Sequence, residues 1–588
     1  MTQYKDFLVA IWHEYKQHWF YFLILISGVN LLVDLLVIPL FQFGVSGLLQ
    51  LGNITYLSYT NFLSIFMDHP FVSLGLIILI GFLLFVTFLQ FVFVLRGIVQ
   101  IRQHRFYVKS LIAETKQVVL HTNWKTSILF FAYLFLLLPF FSVFFLNSPL
   151  LSKIVIPQFI FDEIVMEPLY LIPFLCIVAI LFYFGIRFVF TLPEIIIRPK
   201  RFSVAMVLSW QRTKNKFLFY ALRYALIAAL LFVVTNALYL GIYGIQSLFD
   251  LLPAPFPVIA VAINLALVQL IHFLLNMFAI MAYSSIFIDE LIEETPKPLT
   301  RNMRPLYRRK YWLLSIISVC VVAYNMLYSS ITVEKEPVTI SHRGVSEANG
   351  VQNTIEAMER TMKLNPDYIE MDVQETKDHQ FVVMHDKNLS KLAGVNKAPQ
   401  ELTLQQLTKL TVTENGYTAK IASFDAYLKH ADAHGQKLLV ELKTSSLDSK
   451  NMVKNFIDQY GDQLEENHHR MQTLSHQAAE ALKKDAPNTF VSYILPFNFS
   501  FPTTDFDAYT MEQTTLNATF TSKALLANKE VFVWTVNSAD DIRRSLFLNV
   551  DGIITDDLET LNGELESFKE EPTFADQILM YVMLYSDR

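Results

Sequence analysis

Ionisable side chains end three short apolar segments in the second half of the chain. His342 and Arg343 follow Val-Thr-Ile-Ser, Glu370 and Asp372 lie in Tyr-Ile-Glu-Met-Asp-Val, and His385 follows Phe-Val-Val-Met. Residues two apart on a strand point to the same face, so Glu370 and Asp372 are expected to project together. The pattern predicts polar groups gathered at the carboxyl ends of neighbouring strands.

A fourth apolar segment, Leu-Leu-Val-Glu-Leu-Lys, repeats this spacing with Glu441 and Lys443. If it is a strand of the same sheet, Glu441 joins Glu370 and Asp372. Three carboxylates without a cysteine or histidine cluster form a hard, oxygen-rich site suited to Ca²⁺ or Mg²⁺. Without a cation, such a cluster would be strongly repulsive.

The remaining groups favour phosphodiester cleavage. His342 and His385 are suited to general acid and base roles near neutral pH. Arg343 and Lys443 supply positive charge for an anionic substrate. Each motif alone is weak evidence, because a strand Glu-x-Asp is usually an exposed face and His-Asp after an apolar run is commonly a turn. Because the motifs occur in order at successive strand ends, together they support an active site more strongly than any one of them does.

Strands that alternate with helical patterns after residue 336 predict parallel pairing in a (β/α)8 barrel over 337–565. The expected strands are VTISH, YIEMDV, FVVMHD, LLVEL, RMQTLS, FVSYIL, VFVWTVN and DGIITD, and AYTMEQTTLN is a further strand candidate without an assigned position. Residues 387–422 are expected to be an insertion that covers the site. The tail, 566–588, is predicted to be a helix that packs on the barrel, with the outer leaflet as the alternative.

The first part of the chain, 1–330, is predicted to be an all-α transmembrane bundle. Of the 588 residues, 53% are hydrophobic and 17% are charged, and the apolar excess precedes residue 330. Stretches of about 20 apolar residues predict about seven spans. They lie near 20–43, 71–95, 127–146, 168–192, 217–246, 256–288 and 312–328.

Basic residues alternate between the loops of this bundle. They are concentrated in 96–125, 198–216 and 301–310, which places these loops and the amino terminus in the cytoplasm and the barrel outside the cell. Two of these loops begin with Arg-Phe and carry helical apolar spacing, so interfacial helices are expected there. The first apolar run is predicted to be a retained anchor, not a cleaved signal peptide.

Other features limit the partners of the chain. Cys176 and Cys320 both lie in apolar runs, so no disulfide is predicted in the soluble part. That part is acidic and has no basic stripe, which argues against a nucleic-acid partner. Polar residues within the predicted spans, among them Asp34, Gln269 and His272, indicate either interhelical hydrogen bonds or a polar cavity for a lipid headgroup.

Six segments resemble, in order, the signature blocks of the glycerophosphodiester phosphodiesterase family over nearly all of 338–560. They are HRGVSEANGVQNT, DYIEMDVQETKD, FVVMHDKNL, LLVELK, VFVWTVN and VDGIITD. The amino-terminal part is similar to the membrane domain that precedes this barrel in some Gram-positive bacterial members. The resemblance implies a metal-dependent barrel enzyme that releases glycerol 3-phosphate and an alcohol from a glycerophosphodiester.

The resemblance also implies residue roles. His342 and His385 would be the acid/base pair, Glu370, Asp372 and Glu441 the ligands of a divalent cation, Ca²⁺ or Mg²⁺, and Arg343 and Lys443 phosphate contacts. Asn353 matches the Asn of the Glu-Asn-Thr block, and Trp534 would line the pocket for the glycerol or the leaving group. Gln352 departs from the glutamate usual in that block, which leaves one carboxylate fewer and puts the cation preference in doubt.

These observations predict a membrane-anchored, extracytoplasmic hydrolase. Plausible substrates are deacylated phospholipids, lysolipids or glycerol-phosphate, teichoic-acid-like polymers of the envelope, and the residues leave open whether water or the substrate's own hydroxyl is the nucleophile. Two alternatives come from other classes. One is an inactive ligand-binding or sensor barrel, suggested by Gln352. The other is a bundle that transports a lipid or envelope precursor, with the barrel as an editing domain.

Overall fold

The structure is a computed structural model that describes residues 2–52, 54, 57, 62–103, 105–121, 131–133, 160–161, 164–165, 168–292, 307–329, 336–496, 501–569 and 573–586. Apolar helices up to residue 329 precede an α/β barrel. This confirms the predicted architecture of a helical membrane part followed by a (β/α)8 barrel.

Five helical segments among the described residues are long and apolar enough to cross a membrane. They are Asp6–Leu51, Pro70–Arg102, Pro168–Ile197, Phe217–Asp250 and Phe256–Leu291. A further helix, Tyr307–Ser329, contains a shorter apolar stretch, Ser315–Leu327. The predicted count of about seven spans is not confirmed, and the span expected at 127–146 lies outside the described residues except for 131–133.

Polar residues of these helices bond to neighbouring helices. Gln269 and Asn325 exchange amide hydrogen bonds of 3.0 and 3.2 Å, and Tyr239 Oη lies 3.4 Å from Nδ1 of His272. Such contacts satisfy polar groups where water is absent. They favour the interhelical hydrogen-bonding interpretation over a polar cavity at these positions.

Charged contacts gather near the carboxyl ends of helices Pro70–Arg102 and Phe256–Leu291, a region that we call the charged end. Arg102 donates to Glu14 at 2.5 Å and to Asp289 at 2.6 Å. Arg212 pairs with Glu194 at 3.1 Å. Helices Val108–His121 and Phe202–Thr213 occupy the two loops with similar sequences, and their placement in the membrane interface stays a prediction.

The second part of the chain contains eleven strands among its described residues. They are β1 (Val338–Ser341), β2 (Tyr368–Glu375), β3 (Phe381–Val383), β4 (Thr411–Glu414), β5 (Tyr417–Lys420), β6 (Lys437–Leu442), β7 (Arg470–Thr473), β8 (Val491–Leu495), β9 (Ala508–Glu512), β10 (Glu530–Trp534) and β11 (Gly552–Thr555). Parallel pairing runs through β1, β2 and β6 to β11, and β11 returns to β1, which closes an eight-stranded barrel.

Two strand assignments from the sequence were wrong. The segment FVVMHD was expected to form a parallel barrel strand, but β3 pairs antiparallel with β2, and Glu375 lies opposite Phe381. Five residues separate the two strands, which suffices for a hairpin but not for the crossover that parallel pairing needs. The sixth barrel strand is β9, from the segment without an assigned position. Glu441 belongs to the third barrel strand, not the fourth, and Lys443 directly follows that strand.

Helices surround the barrel and cover its outer apolar face. The longer ones are Ile355–Thr361, Phe424–Ala433, Met452–Glu466, His476–Asp485, Ala518–Leu526, Ala539–Phe547 and Leu558–Lys569. Inside the barrel, a layer of buried side chains includes Tyr368, Leu439 and Phe532. The interior is therefore filled below the mouth, as in other barrels of this size.

Between β3 and the helix Phe424–Ala433, the chain forms short helices, Ser390–Ala393 and Leu404–Leu407, and an antiparallel hairpin of β4 and β5. A separate apolar cluster holds these elements together, with Leu389, Leu407 and Val412 buried in it. The segment expected to be an insertion is thus a compact, ordered addition to the barrel.

The last helix, Phe574–Ser586, packs on the membrane helices Phe217–Asp250 and Phe256–Leu291. Ile578 and Tyr581 are buried against them, and the backbone N–H of Ala575 donates to Asp250 Oδ2 at 2.9 Å. The helix also contacts the barrel helix Ala539–Phe547, as predicted. The prediction was incomplete, because it did not include the contacts with the membrane helices. Packing the apolar face of this helix against apolar helices removes its surface from water, which is favourable.

Candidate active site

Three carboxylates converge at the carboxyl ends of adjacent barrel strands. Glu370 and Asp372 lie on β2, and Glu441 lies beside Asp372 in the register of β6. One oxygen of each of the three lies within 4.8 Å of the others, and all three side chains are buried. Among the described residues this is the group of acidic side chains whose geometry suits a cation.

The environments of Glu370 and Asp372 differ. Glu370 accepts hydrogen bonds from the backbone N–H of Arg343 at 2.8 Å and from Gln472 at 3.3 Å. Burial and the charge of Asp372 raise the pKa of Glu370 to about 8. Burial also disfavours ionised Asp372, but Lys443 and other cations outweigh it and hold the pKa of Asp372 below its ordinary value.

Lys443 lies between two of the carboxylates. Its Nζ donates to Asp372 Oδ1 and to Glu441 Oε1, each at 2.9 Å. Burial opposes the charge of Lys443, but these two carboxylates raise its pKa above the ordinary value. The ammonium therefore supplies one positive charge to a cluster of three acids.

Asn353 orients Asp372. Its Nδ2 donates to Asp372 Oδ2 at 2.8 Å, and its Oδ1 accepts from the backbone N–H of Asp372 at 3.0 Å. Asn353 has φ 60°, a left-handed conformation that asparagine tolerates better than most residues. Its predicted contact with substrate stays a prediction, since both ends of its amide bind Asp372.

His342 is held by an acidic residue at the end of the last barrel strand. Its Nδ1–H donates to Asp556 Oδ1 at 2.8 Å, and Asn537 donates to the other oxygen of Asp556 at 2.9 Å. Burial lowers the pKa of His342, but Asp556 and Glu370 outweigh burial and raise it above the ordinary value. Burial disfavours ionised Asp556 as well, yet His342 lowers the pKa of Asp556 to about 2.

His385 follows β3 and is also paired with a carboxylate. Its Nδ1–H donates to Asp386 Oδ1 at 3.0 Å. Burial lowers the pKa of His385, and Asp372 only partly offsets this. Gln374, on the same face of β2 as the metal-site carboxylates, donates to the carbonyls of Met384, His385 and Asp386 at 2.8–3.2 Å, which fixes this segment at the mouth.

Arg343 and Gln352 form a hydrogen-bonded pair beside the cluster. Arg343 Nη1 donates to Gln352 Oε1 at 2.7 Å, and Arg343 Nε lies 3.8 Å from Asp372 Oδ2. Gln352 Nε2 donates to Glu414 of β4 at 2.7 Å. Gln352 therefore contacts the site through Arg343.

Trp534 is the last residue of β10, the seventh barrel strand, as expected from the sequence. The strand end lies at the same mouth as the carboxylates, and the half-buried ring packs on the apolar layer inside the barrel. This position is compatible with lining a pocket, and the predicted contact with glycerol or leaving group stays a prediction.

Sequence reasoning did not single out Asp556, Gln374 or Glu414. Asp556 follows the strand Gly-Ile-Ile-Thr in the way that His342 follows Val-Thr-Ile-Ser, so a strand-end rule applied to the last strand would have found it. Gln374 continues the alternation of Glu370 and Asp372 along β2. Glu414 carries no such signal, because its position depends on how the β4–β5 hairpin docks.

Comparisons with known proteins cover both parts of the chain. The model for the membrane domain of glycerophosphoryl diester phosphodiesterase matches residues 9–325, and the model for the glycerophosphoryl diester phosphodiesterase family matches residues 342–560.

Individual relatives match the barrel. A glycerophosphodiester phosphodiesterase of Caldanaerobacter subterraneus subsp. tengcongensis is 27% identical over 233 residues, which are 38% of this chain and 96% of the relative. YhdW of Bacillus subtilis is 29% identical over 233 residues, 37% of this chain and 93% of its own length. A solved glycerophosphodiester phosphodiesterase structure from Parabacteroides distasonis is 22% identical, with a TM-score of 0.35 over 40% of this chain and 98% of that chain.

Proposed function

Because this chain belongs to the glycerophosphoryl diester phosphodiesterase family, we propose that its barrel cleaves glycerophosphodiesters to glycerol 3-phosphate and an alcohol in a cation-dependent reaction. The observation that carries the proposal is the buried cluster of Glu370, Asp372 and Glu441, which lies at the same barrel mouth as two histidines that are each paired with a carboxylate.

The residues present fit a divalent cation. Glu370, Asp372 and Glu441 offer only oxygen ligands within 4.8 Å of one another, which suits Ca²⁺ or Mg²⁺. Burial and the charge of Asp372 raise the pKa of Glu370, and the one positive charge of Lys443 does not balance three carboxylates. A bound divalent cation would supply positive charge for the nonbridging oxygens of the phosphate.

The two histidines are suited to opposite roles. The carboxylate that accepts from Nδ1–H leaves Nε2 of each ring available for proton exchange with the substrate. His342, whose pKa is raised, is the more readily protonated of the two and donates its proton to the leaving alcohol. His385, whose pKa is lowered, is the more readily unprotonated of the two and accepts a proton from the nucleophile, either water or the glycerol hydroxyl.

Arg343 contacts the phosphate in this proposal. Its guanidinium lies between Gln352 and Asp372, at the edge of the carboxylate cluster. A guanidinium donates two parallel hydrogen bonds to phosphate oxygens, which fixes the orientation of the substrate as well as its charge. Lys443 offsets part of the charge of Asp372 and Glu441 and is the second phosphate contact in this proposal.

The chain is a multi-pass membrane protein, and we place the barrel outside the cell. Helix Phe217–Asp250 begins next to Lys216, which pairs with Glu290 at 3.2 Å near the charged end. At its other end, Asp250 bonds to Ala575 of the helix that follows the barrel. The contacts of the last helix thus support a barrel on the side opposite the charged end, and basic residues favour the cytoplasmic side.

This placement favours substrates from the cell envelope, namely deacylated phospholipids, lysolipids or glycerol-phosphate polymers. The activity test uses the purified full-length chain in lipid nanodiscs with a set of glycerophosphodiesters, with and without a chelator. We expect glycerol 3-phosphate from the wild type with added cation and none from His342→Ala, whereas His434→Ala, which changes an exposed histidine, keeps full turnover. Product formation that survives both the chelator and His342→Ala would refute the proposal.

A further inference from the structure

The hairpin of β4 and β5 is docked on the loop that follows β1. Val412 of the hairpin and Val351 of the loop are buried in the same apolar cluster. Asn415, at the turn of the hairpin, donates from Nδ2 to the carbonyl of Gly350 at 3.3 Å. Apolar packing and a hydrogen bond therefore fix the hairpin beside the next loop residue, Gln352.

Glu414, the last residue of β4, directs its carboxylate at Gln352. Glu414 Oε2 accepts from the backbone N–H of Gln352 at 2.9 Å, and Glu414 Oε1 accepts from its Nε2 at 2.7 Å. Gln352 Oε1 accepts in turn from Arg343 at 2.7 Å. A carboxylate only accepts and a guanidinium only donates, so an amide joins the two in a single orientation.

We propose that Glu414 is a positioning residue of the active site, which holds the guanidinium of Arg343 through Gln352 in place for the phosphate of the substrate. This inference rests on the proposed function, which assigns Arg343 to the phosphate. A long side chain that is fixed before the substrate arrives loses less conformational entropy on binding. Because the amide of Gln352 links the two charged groups, Glu414 orients Arg343 without contacting it.

The same contacts explain glutamine at position 352, where the family's block usually has glutamate. Here the carboxylate comes from position 414 on another segment. Glutamate at 352 would face Glu414 at hydrogen-bond distance, and two carboxylates repel each other there. Gln352→Glu is therefore expected to impair the enzyme, unless position 414 is changed in return.

A double-mutant cycle tests this arrangement in the full-length protein in nanodiscs. Gln352→Glu and Glu414→Gln alone each raise KM for a glycerophosphodiester by about tenfold, with a smaller effect on kcat. The combined variant restores the hydrogen-bond pattern with the two groups exchanged, so its KM returns to within about threefold of the wild type. Glu356→Gln, an exposed change on the following helix, serves as the control and leaves KM unchanged.

Two outcomes would overturn the role of Glu414. One is a double variant whose fold-increase in KM equals the product of the fold-increases of the two single variants. The other is a Glu414→Gln variant whose KM equals that of the Glu356→Gln control. The dissociation constant of inorganic phosphate, measured by calorimetry on the same variants, gives a second readout. Absence of turnover in the wild type would refute the proposed activity, whereas coupling of positions 352 and 414 in phosphate affinity would still support the positioning role.

Discussion

The Nδ1–H of His342 donates to Asp556 Oδ1 at 2.8 Å, although 214 positions separate the two residues in the chain. His342 follows the first barrel strand and Asp556 follows the last, and these strands are neighbours because the barrel closes between β1 and β11. Closure of the barrel thus assembles the histidine and the carboxylate that raises its pKa.

Asp556→Asn is expected to lower the alkaline limit of the pH range in which the enzyme is active. His342 acts as an acid only when protonated, that is, below its pKa, and the substitution removes the main group that raises this pKa. The alkaline limb of the kcat/KM profile should therefore move to lower pH by about one unit or more. Asp540→Asn, an exposed change, is the control, and an unmoved alkaline limb in Asp556→Asn would show that His342 is not the acid.

Asn353→Ala is expected to weaken cation binding. The substitution removes the two hydrogen bonds between Asn353 and Asp372, and such supporting contacts are typically worth tenfold or more in metal affinity. Titration of the metal-free protein with Ca²⁺ or Mg²⁺ measures the change. Asn353→Gly tolerates the positive φ, and its cation binding should be impaired to a similar degree. A glycine variant with wild-type cation binding would show that the weaker binding of Asn353→Ala comes from backbone strain and not from the lost hydrogen bonds.

Lys443→Met is expected to make the barrel depend on a cation for stability. It removes the ammonium between Asp372 and Glu441, and an uncompensated buried charge costs about 3 kcal/mol or more. Thermal unfolding without cation should begin at lower temperature than in the wild type, and added cation should raise Tm more than it does for the wild type. Lys363→Met, at an exposed position, should behave as the wild type, and equal cation responses would argue against a charge deficit in the cluster.

The proposed orientation of the membrane part predicts which segments a protease reaches. In cells without their wall, external protease should release barrel fragments and leave an epitope at the amino terminus intact, because the helix after the barrel lies opposite the charged end. Permeabilised cells provide the control in which both are cleaved. A barrel that is protected until permeabilisation would reverse the orientation.

The sequence predicted the groups that chemistry requires better than the strands that carry them. His385 lies at the barrel mouth, bonded through its carbonyl to Gln374, although β3 is a hairpin partner of β2 and not a barrel strand. Apolar β-branched runs do not distinguish parallel from antiparallel pairing, and the short connection before Phe381 was the available signal. The segment of β9, Ala-Tyr-Thr-Met-Glu, is harder to assign from the sequence, because Thr and Glu interrupt its apolar residues.

Contacts between distant segments could not be predicted from the sequence. Gln352 and Glu414 are 62 positions apart, and their hydrogen bond depends on the docking of a hairpin that local patterns do not encode. The last helix has an apolar face that indicates a partner, but only the structure identifies the membrane helices as that partner. Local patterns predict elements and faces, whereas tertiary packing decides which faces meet.

We propose that Glu370, Asp372 and Glu441 hold the catalytic cation. The most direct measurement is a titration of the metal-free, full-length protein with Ca²⁺ or Mg²⁺, in which bound cation per chain and release of glycerol 3-phosphate are followed together. We expect activity to rise from zero in step with the occupancy of one site, and expect both signals to be absent in Glu370→Gln. Full turnover by the metal-free protein, or unchanged cation binding in Glu370→Gln, would contradict this account.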